Sequence, residues 1–174
     1  QQLGQSLGLS YHAVNSYVDH LAGAFLVRRL EPYAANLGKR LARRPKIYWR
    51  DSGLLHALLH VPDRSSLLVQ PWVGASWEGF VIEQTIGHLS ALGRVFGAHY
   101  FRSGDRDEID LVLAVGGAVW AIEVKLTASP GPDDLRRLDR AADLIGASRR
   151  FLVSQTAEVA GDDRRASLDL PTLL

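Results

Sequence analysis

The sequence predicts an α/β protein in two units. A small basic unit spans residues 1–60, a joint spans 61–75, and an α/β sandwich with a mixed sheet spans 76–174. Three observations carry this expectation. Charge is unevenly divided: residues 1–75 hold nine Lys or Arg against four Asp or Glu, and residues 76–174 hold eleven against fifteen. Helical apolar spacing recurs in both units. Gly116-Gly117, set between two strand-like apolar runs, marks a tight hairpin whose turn needs positive φ.

Composition narrows the function classes. The 174 residues carry a net charge of +1, with 47% hydrophobic and 22% charged residues, enough to bury a core. Absence of cysteine excludes a disulfide framework, a zinc ribbon and a cysteine nucleophile. Absence of methionine, even at position 1, leads us to expect a piece of a longer translation product. No apolar run nears the ~18–20 residues that cross a bilayer, so the expectation is a soluble, cytoplasmic chain with no membrane partner.

In the basic unit, Leu3–Leu7 reads as a short helix and Gly8-Leu9-Ser10 as a turn ending in an N-cap. Val14, Tyr17, Val18 and Leu21 then repeat at helical spacing to about Gly23. Phe25-Leu26-Val27 and Lys46–Trp49 are strand-like and flank a polar connection containing Asn36, Gly38, Lys39, Arg40, Arg43 and Arg44. Two helices, a turn and a basic strand–loop–strand make a winged helix-turn-helix pattern, lacking the first helix such units lean on. If it binds DNA, Tyr11, His12, Asn15 and Ser16 lie on the outer face of the second helix. Arg40, Arg43 and Arg44 would contact phosphate. Packing against protein is the alternative use.

Asp51-Ser52-Gly53 caps a short helix through Leu54, Leu55, Leu58 and Leu59, and Val61–Gly74, with Pro62 and Pro71, reads as the joint. Ser76–Leu92 follows as an amphipathic helix with Ser76 as N-cap. One stripe holds Glu78, Ile82, Thr85, Leu89 and Leu92, so a carboxylate sits among apolar residues. Either it is paired or ligates a metal, or it snorkels out of the first turn, where the helix dipole favours it. Glu83, on another face, reads as ordinary solvent-facing charge.

Strands are expected at His99–Arg102, Glu108–Val115 and Ala118–Leu126. If Val115 faces Ala118, facing positions sum to 233, Asp110 faces Glu123, and Glu108 faces Lys125. Glu123 and Lys125 then share a face. Carboxylates opposed about 5 Å apart within Val/Ile/Leu-rich strands need a cation or a raised pKa, and an oxygen-preferring Mg²⁺ or Mn²⁺ is the simplest resolution. The alternative is a polar outer face with a Glu108–Lys125 ion pair. Pro130-Gly131-Pro132-Asp133 starts a helix whose stripe is Leu135, Leu138, Ala142 and Ile145, and Phe151-Leu152-Val153 reads as a strand. No periodicity is evident from Ser154 to Leu174.

These residues resemble a known family. Trp77-Glu78, Glu108-Ile109-Asp110 and Glu123-Val124-Lys125 resemble the motif of the restriction-endonuclease-like PD-(D/E)XK nuclease fold, an αβββαβ arrangement. The whole chain resembles the C-terminal region of a family of AAA-type ATPases, in which a winged helix and a nuclease-like domain follow the ATPase core. The supporting strings are Pro45-Lys46-Ile47-Tyr48-Trp49-Arg50-Asp51-Ser52-Gly53-Leu54, Trp77-Glu78-Gly79-Phe80-Val81, Tyr100-Phe101-Arg102 and Ile122-Glu123-Val124-Lys125. Ile109 stands where the fold's pattern has Pro.

The resemblance implies that Asp110 and Glu123 hold Mg²⁺ or Mn²⁺, with Glu78 and the Val124 carbonyl as further ligands. Lys125 would activate the attacking water or stabilise charge on the scissile phosphate. It also implies DNA and the protein's own N-terminal ATPase domain as partners. No G-x-x-x-x-G-K-[ST] string occurs, so ATP would enter only through that absent domain. The leading expectation is a metal-dependent DNA-cleaving or DNA-processing module. The alternatives are a catalytically inactive nuclease-fold scaffold for DNA or protein, or a winged-helix DNA-binding regulator.

Overall fold

A computed structural model describes residues 2–33, 44–104 and 107–174. Helices α1 (Gln2–Leu7) and α2 (Tyr11–Gly23) are joined through Gly8 at φ +64. Ser10 caps α2, its hydroxyl accepting from the Ala13 N–H at 3.2 Å. Strand β1 (Val27–Leu30) pairs antiparallel with β2 (Lys46–Trp49), Leu30 opposite Lys46. β1 starts two residues later than Phe25 because Phe25 and Leu26 close α2. Phe25 takes φ +59, and the two N–H groups donate to Ala22 and Leu21 carbonyls at 3.0 Å.

Asp51 caps α3 (Ser52–Leu58), accepting from the Leu54 N–H at 3.0 Å. The joint is not structureless: Asp63 caps a further short helix, α4 (Arg64–Leu68). Helix α5 (Val73–Ala91) starts three residues before the expected Ser76. Ser76 is therefore inside the helix, its hydroxyl 2.9 Å from His56 Nε2.

The sheet contains β3 (Phe96–Arg102), β4 (Glu108–Val115), β5 (Ala118–Val124), β6 (Arg149–Ser154), β7 (Ala160–Gly161) and β8 (Arg165–Asp169). Helix α6 (Pro132–Ile145) crosses from β5 to β6, and α7 (Leu170–Leu173) follows β8. The strand order is β3-β4-β5-β6-β8-β7, antiparallel from β3 to β5 and parallel from β5 through β6 to β8. This is the expected mixed α/β sheet, extended by two strands in the tail that showed no periodicity. β8 hides from a pattern reading because Ala166, Ser167 and Leu168 are all buried, so neither alternation nor a long apolar run marks it.

Two cores flank the sheet. On the α5 side, Val81, Ile82 and Ile86 pack with Leu111, Leu113, Ile122, Phe151 and Val153; on the α6 side, Leu138 and Ala142 pack with Val112, Ala121 and Leu152. Leu30 and Tyr48 belong to the α5-side core, so the first hairpin is welded to the sheet rather than tethered to it. The Tyr33 N–H donates to Tyr100 O at 2.7 Å and the Tyr100 N–H to Glu31 O at 3.1 Å. Glu83 is not solvent-facing charge: its side chain is 9% exposed and clamped by Arg28 and Arg50, tying α5 to the hairpin. Among the described residues no helix is long and apolar enough to cross a membrane.

Candidate functional site

The β4–β5 hairpin has the register that Gly116-Gly117 predicts, from Val115↔Ala118 to Leu111↔Ile122, with both glycines at positive φ. The ladder ends one step before Asp110 and Glu123. On the other side of β4 the register slips: His99 pairs with Val112 but Phe101 with Ile109, so β4 advances three residues while β3 advances two. Asp110 and Leu111 occupy this bulge, a device that re-aims a side chain. Asp110 is 6% exposed, and its carboxylate joins two neighbourhoods. Oδ2 accepts from the Val124 N–H at 3.1 Å, across the hairpin, and Oδ1 lies 3.1 Å from Lys46 Nζ, toward α5.

Around Asp110 the structure gathers Glu78, Glu123 and Lys125, together with residues the sequence reading had not placed here. Lys46 Nζ lies 3.0 Å from Glu78, 2.6 Å from Glu108 and 3.1 Å from Asp110. The Tyr48 hydroxyl donates to the same Glu78 oxygen as Lys46. Lys46 and Tyr48 are two apart on β2 and so share a face. That alternation in Pro45-Lys46-Ile47-Tyr48 was the available signal, but nothing local told which surface the face would meet. The Glu108–Lys125 ion pair of the alternative reading does not form. Lys125 pairs with Glu123 at 2.6 Å, while Glu108 pairs with Lys46 and, at 3.4 Å, Arg102. The bulge explains the exchange, because the facing pairs extrapolated from the hairpin turn do not continue past Leu111.

Glu78 lies beyond the first turn of α5, which holds no acidic residue, so the helix dipole does not account for it. Burial, with the charge of Asp110, raises its pKa against the pull of Lys46. Burial and Asp110 push Glu123 up to about 8 despite Lys125. Its Oε2 is buried with no hydrogen-bond partner, a carboxylate oxygen facing no donor. Burial opposes the charge on Lys46 and on Lys125. Asp110 and Glu78 overcome it at Lys46, and Glu123 does so at Lys125, leaving both amines above their ordinary values. Burial and Glu78 likewise hold the Tyr48 phenol protonated.

The donor set suits a hard divalent ion in kind: carboxylates of Asp110, Glu123 and Glu78, beside buried Val124. In position it does not yet converge. Among the described residues no three His, Asp or Glu side chains are grouped to hold a metal, and Glu78 and Asp110, with Glu108, surround the Lys46 ammonium instead. The partnerless Glu123 oxygen is the observation that fits an additional cation.

The residues expected to contact DNA divide. Tyr11, Asn15 and Arg44 line one groove of about 360 Å³ with Arg29. His12 and Ser16 are exposed on α2, and Arg40 and Arg43 lie outside the described residues.

The proteins Rv2008c of Mycobacterium tuberculosis and Mb2031c of Mycobacterium bovis, both described as uncharacterized, are each 38% identical over 170 residues. The match covers 94% of this chain but 38% of each relative. No solved structure matches. Residues 1–65 match a domain of unknown function, DUF8612. Residues 73–173, from the start of α5 to the end of α7, match another, DUF4143, and contain every member of the acidic cluster except Lys46 and Tyr48. The chain belongs to the DUF4143 family.

Proposed function

We propose that this chain is the winged-helix and restriction-endonuclease-like part of a longer, cytoplasmic AAA-type ATPase, and that its acidic cluster is a metal-dependent site for cleaving DNA phosphodiesters. The observation that carries the reading is the gathering of Glu78, Asp110, Glu123 and Lys125 at one bulged strand end, with a buried Glu123 oxygen left without a partner. Catalytic sites are where buried, mutually repelling carboxylates are tolerated. A bound Mg²⁺ or Mn²⁺ would supply Lewis-acid chemistry and a more acidic water. Asp110 and Glu123 would hold it, with Glu78 and the Val124 carbonyl as further ligands. Lys125, anchored on Glu123, would stabilise charge on the scissile phosphate. The groove lined by Tyr11, Asn15 and Arg44 would take the DNA backbone, with His12, Ser16, Arg40 and Arg43 extending the contact. ATP would act only through the ATPase portion outside this chain.

Cleavage of plasmid, single-stranded and branched DNA in Mn²⁺ tests the reading. Wild type is expected to cut at least one form, and Asp110→Asn and Lys125→Ala to lose about 10²-fold or more. Wild-type cutting that survives both substitutions refutes it. Lys46 favours a second reading: a cluster closed by its own ammonium also suits a non-catalytic scaffold for DNA or protein. That reading expects no cleavage by wild type and unchanged DNA binding in Lys125→Ala.

A further inference from the structure

We propose that a second site, at the end of the sheet away from the acidic cluster, binds an aliphatic carboxylate. Its hydrocarbon chain would fill a cavity between α5 and α7, and its anionic head would sit between Arg94 and Arg149. This site does not depend on the reading of the acidic cluster.

The cavity, of about 420 Å³, opens where the α5-side core runs out. Over this end of the sheet the cover is the last turns of α5 and the four-residue α7, which leave a gap between them. Leu89 from α5, Leu113 and Ile122 from the sheet and Leu173 from α7 make its apolar walls. His88, at the rim, is ten residues beyond Glu78, so the cavity lies about 15 Å along α5 from the cluster. The size is that of a small-molecule site. Its walls are aliphatic apart from Trp120, and the Arg149 guanidinium already lies over that ring at 4.8 Å. An extended hydrocarbon chain therefore suits the space better than a planar ring that needs a stacking face.

Charge complementarity identifies the head. No Asp or Glu lines the cavity, whereas Arg94, Arg149 and His88 do. Among the described residues neither arginine has a carboxylate partner. Alternation along β6 separates Arg149 from Arg150: Arg150 turns to the α6 side and pairs with Asp139 and Asp143, while Arg149 stands beside its β5 neighbour Trp120 on the other face. Arg94 is fixed by the end of α5, where Gly93 takes φ +65 and the Arg94 N–H donates to Leu89 O at 3.0 Å. The dipole of α5 accounts for cations at its C-terminus, His88 and Arg94. It does not account for Arg149, which comes from a strand. A part-buried guanidinium beside apolar walls calls for an anion, and its planar fork matches a carboxylate.

Calorimetric titration with decanoate tests the site, with a Kd on the order of 100 µM expected for a ligand of this size. Acetate, which has the charge without the chain, and decanol, which has the chain without the charge, should each bind at least about tenfold more weakly. Arg149→Gln and Arg94→Gln should each weaken decanoate about tenfold, while Arg137→Gln, on α6 and outside the cavity, should leave it unchanged. Arg94 is exposed and without an ion pair, so its variant decides alone should Arg149→Gln fail to fold. Decanol or acetate binding as tightly as decanoate, equal decanoate affinity in all three variants, or no decanoate binding would each overturn the proposal. So would decanoate binding to this chain but not to the longer protein proposed above, which would make the cavity a docking face for the rest of that protein.

Discussion

Glu123→Gln should flatten the pH dependence of stability between mildly acidic and mildly alkaline solution. Burial, with the neighbouring Asp110 charge, raises the Glu123 pKa from 4.5 to about 8 in the folded chain. A raised carboxyl pKa means that the folded state holds a proton the unfolded chain has released. Stability is therefore highest near and below the unfolded value, falls as pH rises toward 8, and levels off above it. Integrated between about pH 5.5 and about pH 8.5, the difference in bound protons amounts to ~3 kcal/mol lost from the wild type. The side chain is 15% exposed, so solvent screening trims this only modestly. Gln is always neutral and keeps the volume. The assay is urea unfolding of both proteins at several pH values, with chelator present to keep adventitious cations out. The difference between the two curves isolates the substituted side chain from everything the two proteins share. Parallel curves would refute the reasoning, since they would mean that Glu123 is ionised in the fold throughout.

Three further outcomes test the architecture. Glu83→Gln should cost about 2 kcal/mol in urea unfolding, because it strips the charge partner from Arg28 and Arg50; the value sits below that of a fully buried pair because both arginines are partly exposed. Gly161→Ala should cost about 3 kcal/mol or more: Gly161 has φ +128, and a Cβ there would overlap the Arg165 carbonyl oxygen and stand 2.7 Å from Ala166 Cα. Leu138→Ala, removing a side chain 1% exposed between α6 and the sheet, should lower stability by about 3 kcal/mol. A loss below about 1 kcal/mol there would mean that α6 re-packs rather than leaving a cavity.

Much of this protein is legible in its sequence because the signals are local. Ser10 and Asp51 each place a cap by a side chain that reaches three residues along the chain. Gly116-Gly117 sets the β4–β5 register because a two-residue turn leaves one pairing open to the strands it joins. The separation of Glu123 and Lys125 by one residue determines that they share a strand face, and they form an ion pair. The missed elements lack such signals. Strand β7 is only two exposed residues, β8 is short and buried without alternation, and α4 is a single capped turn hidden among prolines.

What only the tertiary structure decided is which partners the charged side chains meet. Asp110 sits on a bulge whose extra residue is defined against β3, a different strand from the one that the turn positions. Lys46 reaches Glu78, Glu108 and Asp110 across 32 to 64 residues of chain, and Glu83 meets Arg28 across 55. No periodicity encodes such pairings, because they follow from how the first hairpin docks on α5, through apolar burial of Leu30 and Tyr48. Sequence determines which residues carry charge and which face of their own element they occupy; docking determines whether a carboxylate is left to water, to a metal or to a lysine.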